Sequence, residues 1–140
     1  MEKIWHDQNV YIIEGTHSRL GVGNNLFENV KNLKRILVPA VNAFDSYDEI
    51  LSSAIKNCAK SDLILLAIGP TATILSFDLA KLGYWAIDIG HIDIEYEWFK
   101  KQATRKVPVK NKYVNEANYA GQDNLQDKSY EDSIIEIIGN

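Results

Sequence analysis

Four short runs of apolar residues recur along the chain, and more polar stretches separate them. The runs are VYIIEG (10–15), RILVPA (35–40), LILLAIG (63–69) and WAIDIG (85–90). Each run is rich in isoleucine, valine or leucine and nearly continuous, whereas a strand with one face in water alternates apolar and polar residues. We therefore predict four strands of a parallel sheet that are buried on both faces.

The stretches between these runs show helical spacing. NNLFENVKN (24–32) predicts a short helix, DSYDEILSSAIKNCAK (45–60) a longer one, and TATILSFDLAKLG (71–83) a third that ends at Gly83. Strands that alternate with helices indicate a doubly wound sheet with right-handed crossovers. The predicted fold class is α/β, with an open, mostly parallel sheet and helices on both faces.

The C-terminal part of the chain differs in composition from the rest. Residues 108–132 are polar, which is typical of a surface loop or a partly disordered arm. SIIEIIG (133–139) is apolar again and predicts an additional edge strand. A length of 140 residues suits one domain, so we divide the chain into a core domain, residues 1–107, and a polar C-terminal arm, residues 108–140.

Composition argues against several classes of protein. The net charge of -4, from 15 basic and 19 acidic side chains, argues against a nucleic-acid-binding protein, which would have a basic excess. The single cysteine, Cys58, excludes an internal disulfide and a cysteine-based zinc site. No apolar run reaches the roughly 18 to 20 residues of a membrane span, and the first residues lack the apolar stretch of a signal peptide. We therefore expect a cytoplasmic protein without a membrane span.

Two glycine-containing segments follow predicted strands, at the place where open α/β sheets bind their ligands. The first segment contains Gly21, Gly23 and Asn24, and the second contains Gly69, Pro70, Thr71 and Thr73. Glycine permits close backbone approach, and the N-terminus of the following helix offers N–H groups to a phosphate. The spacing is not GxGxxG, however, and an ordinary loop or a plain helix start explains each segment equally well.

A dense set of acids lies past the fourth predicted strand, in DIGHIDIEYEWF (88–99). In an extended segment Asp93 and Glu95 point the same way, whereas in a helix Asp93 aligns with Glu97. Two converging carboxylates suit Mg²⁺ or Mn²⁺, which take oxygen ligands and often substrate phosphates. The alternative is a solvated acidic face paired with the basic residues that follow. His91 is a candidate base or ligand by position, or a structural residue.

Several segments resemble the GT-D type glycosyltransferases, which include accessory enzymes of serine-rich adhesin glycosylation. The segments are GVGNNLF, KRILVPAVNAFDSYDEIL, AIGPTATILSFDLAKLGYWAIDIGHIDIEYEWF and KVPVKNKYVNEA, and the resemblance covers about residues 10 to 117. It implies a Rossmann-like domain that binds a UDP-sugar with Mn²⁺ or Mg²⁺. It also implies transfer of a hexose, typically glucose, to a glycan or glycoprotein acceptor. The family's Asp-x-Glu motif matches Asp93 and Glu95, the expected catalytic and metal-binding pair.

The resemblance has further implications for donor binding and assembly. Backbone groups at 21–24 and 69–73 would hold nucleotide or phosphate, and His91 and Glu97 are candidate bases. Family members carry an N-terminal half with an Arg-Phe-Gly-Asp-Gly-Glu-like motif that this sequence does not contain. We therefore expect a homo-oligomer or a partner chain that supplies this half. The alternatives are a non-catalytic nucleotide-sugar-binding module and a domain that binds another nucleotide, in which the acids serve only solubility.

Overall fold

A five-stranded parallel sheet forms the centre of the protein, in the order β4-β3-β1-β2-β7. The structure, a computed structural model, describes residues 4–22, 26–90, 113–114, 119–120 and 128–139. The strands are β1 (Asn9–Gly15), β2 (Asn32–Val38), β3 (Leu63–Ala67), β4 (Trp85–Asp88), β5 (Tyr113–Val114), β6 (Tyr119–Ala120) and β7 (Ile134–Ile137), and the helices are α1 (Tyr47–Asn57), α2 (Thr71–Lys81) and α3 (Lys128–Ser133). The predicted α/β fold class is confirmed.

The four apolar runs form β1 to β4, as predicted. The central strands β1 and β3 are buried over most of their length, because neighbouring strands flank them on both sides and other segments cover both faces. The strands β2, β3 and β4 each end two residues before the apolar run does. After β3 and β4 the reason is a glycine turn, since Gly69 and Gly90 have φ values of +64° and +58°, outside the range of a strand.

The helices α1 and α2 cover the first face of the sheet. Ile50 and Ala54 of α1 and Leu75 and Leu79 of α2 are fully buried against the strands. Tyr47 of α1 donates a hydrogen bond to Asp78 of α2, which fixes the two helices side by side. After α2 the chain turns at Gly83, whose φ of +92° confirms it as the glycine that follows the last helical turn.

The second face of the sheet corrects one prediction. The stretch 24–32 was expected to be a helix, but residues 26–29 form turns and Asn32 already begins β2. The apolar side chains of this stretch still reach the core, where they meet Trp5. The centres of the Trp5 and Phe27 rings are 5.1 Å apart, and the Trp5 indole N–H donates to the Leu26 carbonyl at 2.9 Å. Helical spacing therefore marked buried side chains correctly but not their backbone conformation.

The C-terminal residues also return to the sheet. The short strands β5 and β6 pair with each other in antiparallel fashion. Residues 128–132, expected to be loop, belong to α3, which lies on the second face beside Arg35. The strand β7 then pairs in parallel with β2 at the edge of the sheet. The division of the chain at residue 107 stays a prediction, because it falls outside the described residues.

The edge strand β7 is held to α1 by a polar network. Ser53 Oγ and Asn57 Nδ2 donate to Glu136 Oε1 at 2.6 and 3.0 Å. These bonds lower the pKa of Glu136, and the Ser53 hydroxyl makes the largest contribution.

None of the helices in the described part of the chain is both long and apolar enough to cross a membrane.

Candidate functional site

The carboxyl ends of β1, β2 and β3 enclose a cleft of about 430 Å³. All strands of this sheet are parallel, so Gly15 at the end of β1 lies near the same edge as Gly69 and Gly90, which follow β3 and β4, as predicted. The connection after β1 packs on the second face, whereas α1 and α2 pack on the first. The cleft therefore lies where the chain changes face, the position at which open α/β sheets bind nucleotides.

One wall of the cleft is the turn from β3 into α2. Gly69, Pro70 and Thr71, all predicted site residues, line it together. A methyl group added to Gly69 would meet no atom within 4 Å, so glycine is required here by its φ of +64° and not by crowding. The Ala72 N–H closes the turn on the Gly69 carbonyl at 3.0 Å. The open space beside Gly69 leaves its backbone accessible to a ligand.

The opposite wall is formed by residues 41–44, which follow β2. Asn42 adopts the left-handed conformation with a φ of 56°, and its side chain makes no capping hydrogen bond to the 3-10 helix that it precedes. The Phe44 side chain is 55% exposed, and its ring lies 5.4 Å from the ring of Tyr47. Burial of Tyr47 and its hydrogen bond to Asp78 raise the pKa of this tyrosine to about 12. This wall therefore exposes the Phe44 ring to the cleft. Tyr47, which is protonated and hydrogen-bonded, packs beside that ring.

Thr73 lies outside the lining of the cleft and has a different role. Its hydroxyl donates to Asp88 Oδ2 at 3.1 Å, and the Gly90 N–H donates to Asp88 Oδ1, also at 3.1 Å. Asp88 therefore links the first turn of α2 to the residues that follow β4. Sequence analysis did not assign Asp88 a role, although its place at the start of the acidic stretch was a signal.

Gly21 lines a second cavity, of about 460 Å³, on the second face of the sheet. Its φ is +77°, and an added methyl group would lie only 2.4 Å from Phe27 Cδ2. Packing is enough to explain this glycine, and its contact with a nucleotide stays a prediction. Gly23 and Asn24 lie outside the described residues, as do His91, Asp93 and Glu95, so their predicted roles also stay predictions.

A buried ion pair beside the second cavity was missed by sequence analysis. Arg35 of β2 donates to Glu14 of β1, and both side chains are almost fully buried. The Leu20 N–H also donates to Glu14 Oε1, at 2.6 Å, and the Arg35 guanidinium lies 4.9 Å from the centre of the Tyr130 ring. Burial, followed by the nearby Glu14 charge, raises the pKa of Tyr130 to about 12. The available signal was the single charged residue in each of two apolar runs, acidic in VYIIEG and basic in RILVPA.

Cys58 is a small residue of the core. It is 6% exposed and packs in the cluster between the sheet and the two large helices. Burial and the nearby Asp62 carboxylate raise the pKa of its thiol to about 12. A thiol that stays protonated near neutral pH is a poor nucleophile and a poor metal ligand, so Cys58 is not part of the site.

Comparison with known proteins gives one consistent assignment. The family model of the glycosyltransferase GT-D fold matches residues 1–117. A probable glycosyl transferase, Gly, of Streptococcus gordonii is 40% identical over 136 residues, which are 96% of this chain and 20% of that protein. Glycosyltransferase GlyD of Streptococcus pneumoniae is 40% identical over 141 residues, and the match covers all of this chain and 17% of that protein.

Solved structures agree with these relatives. A structure of the domain of unknown function 1792, described as having a distinct glycosyltransferase fold, is 46% identical, with a TM-score of 0.92 over 99% of this chain and 50% of its own. A glycosyltransferase of this type from Streptococcus sanguinis is 38% identical, also with a TM-score of 0.92, over 99% of this chain and 52% of its own. The chain thus spans about half the length of these structures and about a fifth of the curated relatives. With the model match over most of its length, the chain belongs to the family of the glycosyltransferase GT-D fold.

Proposed function

We propose that this chain is the nucleotide-sugar-binding part of a metal-dependent glycosyltransferase. The donor would be a UDP-sugar, the transferred sugar a hexose such as glucose, and the acceptor a glycan or glycoprotein. Family membership supports the reaction type. The single observation that carries the proposal is the cleft at the carboxyl edge of the sheet, one wall of which is the turn at the start of α2.

The position of the cleft suits a diphosphate. Backbone N–H groups and the positive end of the α2 dipole favour a negative group beside residues 69–71. The strand β4 lies next to β3 and ends at the same edge, and the acidic stretch with Asp93 and Glu95 follows β4 in the sequence. A diphosphate held at this turn would therefore lie beside the end of the strand that precedes the proposed metal ligands.

The proposed metal ligands are Asp93 and Glu95, and their chemistry fits Mn²⁺ or Mg²⁺. These ions prefer carboxylate oxygens and complete their coordination with water and phosphate oxygens. Within the part of the chain that the structure describes, no cluster of three or more His, Cys, Asp or Glu side chains offers an alternative site. When bound, the cation would stabilise the negative charge that develops on the departing UDP.

The residues of this chain would contribute binding and orientation. Asp93 and Glu95 would hold the diphosphate through the cation, and the turn at residues 69–71 would fix the phosphates by backbone hydrogen bonds. Holding the donor in one orientation raises the rate by lowering the entropy lost on reaching the transition state. Proposed bases for the acceptor hydroxyl are Glu97 and His91, which follow in the same stretch.

A second candidate function is a nucleotide-sugar-binding module that is active only with another polypeptide or as a homo-oligomer. What supports it is that this chain matches only about half of each solved GT-D structure. Such a module would keep the cleft and bind the donor. The acceptor site or the base would then come from elsewhere.

Calorimetry and a turnover assay distinguish these functions. We expect UDP and UDP-glucose to bind in the presence of Mn²⁺ and to bind weakly when EDTA removes the metal. Release of UDP from UDP-glucose by this chain alone would establish an enzyme, whereas metal-dependent binding without turnover would establish the module. Failure of UDP to bind with either Mn²⁺ or Mg²⁺ would refute both.

A further inference from the structure

We infer that the exposed ring of Phe44 is the stacking platform for the base of the donor nucleotide, with Asn42 at the polar edge of that base. The inference rests on the proposed nucleotide-sugar donor and adds a base subsite to it. Phe44 and Asn42 follow β2, line the same cleft as the turn at residues 69–71, and belong to the opposite wall.

The order of the strands orients the donor. In the sheet, β3 lies between β4 and β1, and β1 lies between β3 and β2. The acidic stretch therefore begins at the end of β4, the α2 turn follows the neighbouring strand β3, and Phe44 follows β2, two strands further along. Adjacent strands are about 4.8 Å apart, which separates the ends of β3 and β2 by roughly 10 Å. The diphosphate and the base of one nucleotide are separated by a comparable distance. With the phosphates at the α2 turn and the sugar towards the end of β4, the base lies beside Phe44.

The exposure and the packing of the Phe44 ring suit a stacking role. A large apolar side chain that is 55% exposed gains little from folding, since burial is what stabilises such residues. Its ring is nevertheless supported by Tyr47, which is fixed in turn by its hydrogen bond to Asp78. A ring that is both exposed and supported can accept a base on its open face without first being ordered.

Asn42 supplies the polar complement. Its side-chain amide has donor and acceptor groups, which suit the edge of a pyrimidine base. The left-handed backbone of Asn42 and the absence of a capping bond from its side chain point to a use other than helix capping. Strained positions of this kind are enriched at ligand sites.

The experiment compares two exposed aromatic residues. Phe77 is 63% exposed on α2 and does not line the cleft, so Phe77→Ala is the matched control for Phe44→Ala. Binding of UDP and of inorganic pyrophosphate is measured by calorimetry with Mn²⁺ for the parent and each variant. Circular dichroism confirms folding, and Phe44→Leu keeps an apolar contact with Tyr47 but removes the ring.

We expect Phe44→Ala and Phe44→Leu to weaken UDP binding by roughly 5- to 150-fold, the range for loss of one base–aromatic stack, and to leave pyrophosphate binding unchanged. Phe44→Tyr should bind UDP like the parent, and so should Phe77→Ala. Asn42→Gly, which keeps the left-handed backbone without strain, should reduce the preference for UDP over ADP.

Two results would overturn the inference in distinguishable ways. If the parent binds UDP but Phe44→Ala binds it as tightly as Phe77→Ala does, the base lies elsewhere and the proposed donor stands. If the parent binds pyrophosphate no more weakly than UDP, the protein recognises no base, and the UDP-sugar proposal fails together with the subsite.

Discussion

Thr73 and Asp88 join the first turn of α2 to the end of β4. The Thr73 hydroxyl donates to one carboxylate oxygen of Asp88, and the Gly90 N–H donates to the other, each at 3.1 Å. Gly90 comes directly before the stretch that contains Asp93 and Glu95. The same aspartate therefore links the N-terminus of α2, the proposed phosphate-binding end, to the point in the chain from which the proposed metal ligands follow.

Replacing Thr73 with valine tests this link. We expect Mn²⁺-dependent UDP affinity to fall by about 5-fold, since a typical hydrogen bond contributes about 1 kcal/mol. Stability should change by less than about 0.5 kcal/mol, because Thr73 and Asp88 are both exposed. Calorimetry with UDP, together with thermal unfolding, measures the two effects separately.

The controls for Thr73 use neighbouring hydroxyl groups. Thr73→Ser keeps the donor and should retain parent affinity. Ser76→Ala removes a hydroxyl that bonds only to the Thr73 carbonyl among the described contacts, and it should have no effect on UDP binding. Equal UDP affinities for Thr73→Val and the parent would mean that the link has no role in the site.

Removing one member of the buried Glu14–Arg35 pair should strongly destabilise the protein. We expect Glu14→Gln to lower the free energy of unfolding by roughly 3 to 5 kcal/mol, because it leaves the buried Arg35 charge uncompensated. Urea denaturation measures this loss, with Glu28→Gln as the exposed control. The double variant Glu14→Met/Arg35→Met should recover much of the loss, and a double variant less stable than Glu14→Gln would contradict this account.

The strands of the sheet could be predicted from the sequence more accurately than the segments that pack on its faces. Short continuous apolar runs are typical of buried strands, and all four predicted strands are present in the structure. Leu26, Phe27 and Val30 have helical spacing, yet the first two lie in turns and Val30 directly follows them, and all three pack on the sheet. Tertiary contacts with residues such as Trp5 decide that outcome, and local spacing does not contain them.

The candidate site was also predictable only in part. The turn at Gly69 and Pro70 could be predicted because its residue types restrict the backbone locally. Phe44 could not be assigned to the same cleft, since that depends on β1 lying between β3 and β2. The Glu14–Arg35 pair likewise depends on register: Arg35 lies opposite Ile12, which places the two charges diagonally on one face.

Glu136 should make stability depend on acid pH. Its pKa is lowered, chiefly by the Ser53 hydroxyl, so folding favours the charged carboxylate. The resulting stabilisation is present above the usual value of 4.5 and is lost as the pH falls through the lowered pKa. Glu136→Gln should therefore be less stable than the parent at pH 7, and the difference should shrink below about pH 4.5. Urea unfolding between pH 3 and 7 tests this, with Glu131→Gln as the exposed control; a pH-independent difference would contradict it.

Asp93 and Glu95 provide the direct test of the proposed chemistry. A pair of carboxylates binds Mn²⁺ or Mg²⁺ only loosely, because these ions retain water and recruit phosphate oxygens. Metal and UDP should therefore bind cooperatively, and each should raise the affinity of the other by the same factor. Asp93→Asn removes the charge with little change in volume, so we expect it to fold normally and to lose most of this coupling.

The comparison that decides the role of these acids is between Asp93→Asn and Glu97→Gln. Both changes remove one negative charge from the same stretch, so a general electrostatic effect would weaken Mn²⁺ binding equally in the two variants. Specific ligation predicts that coupling falls in Asp93→Asn and in Glu95→Gln, while Glu97→Gln stays close to the parent. Calorimetric titration of UDP at several Mn²⁺ concentrations gives the coupling factor for each protein. If Asp93→Asn keeps the parent factor, its carboxylate faces only water or basic side chains, and this chain has no metal site at the Asp-x-Glu motif.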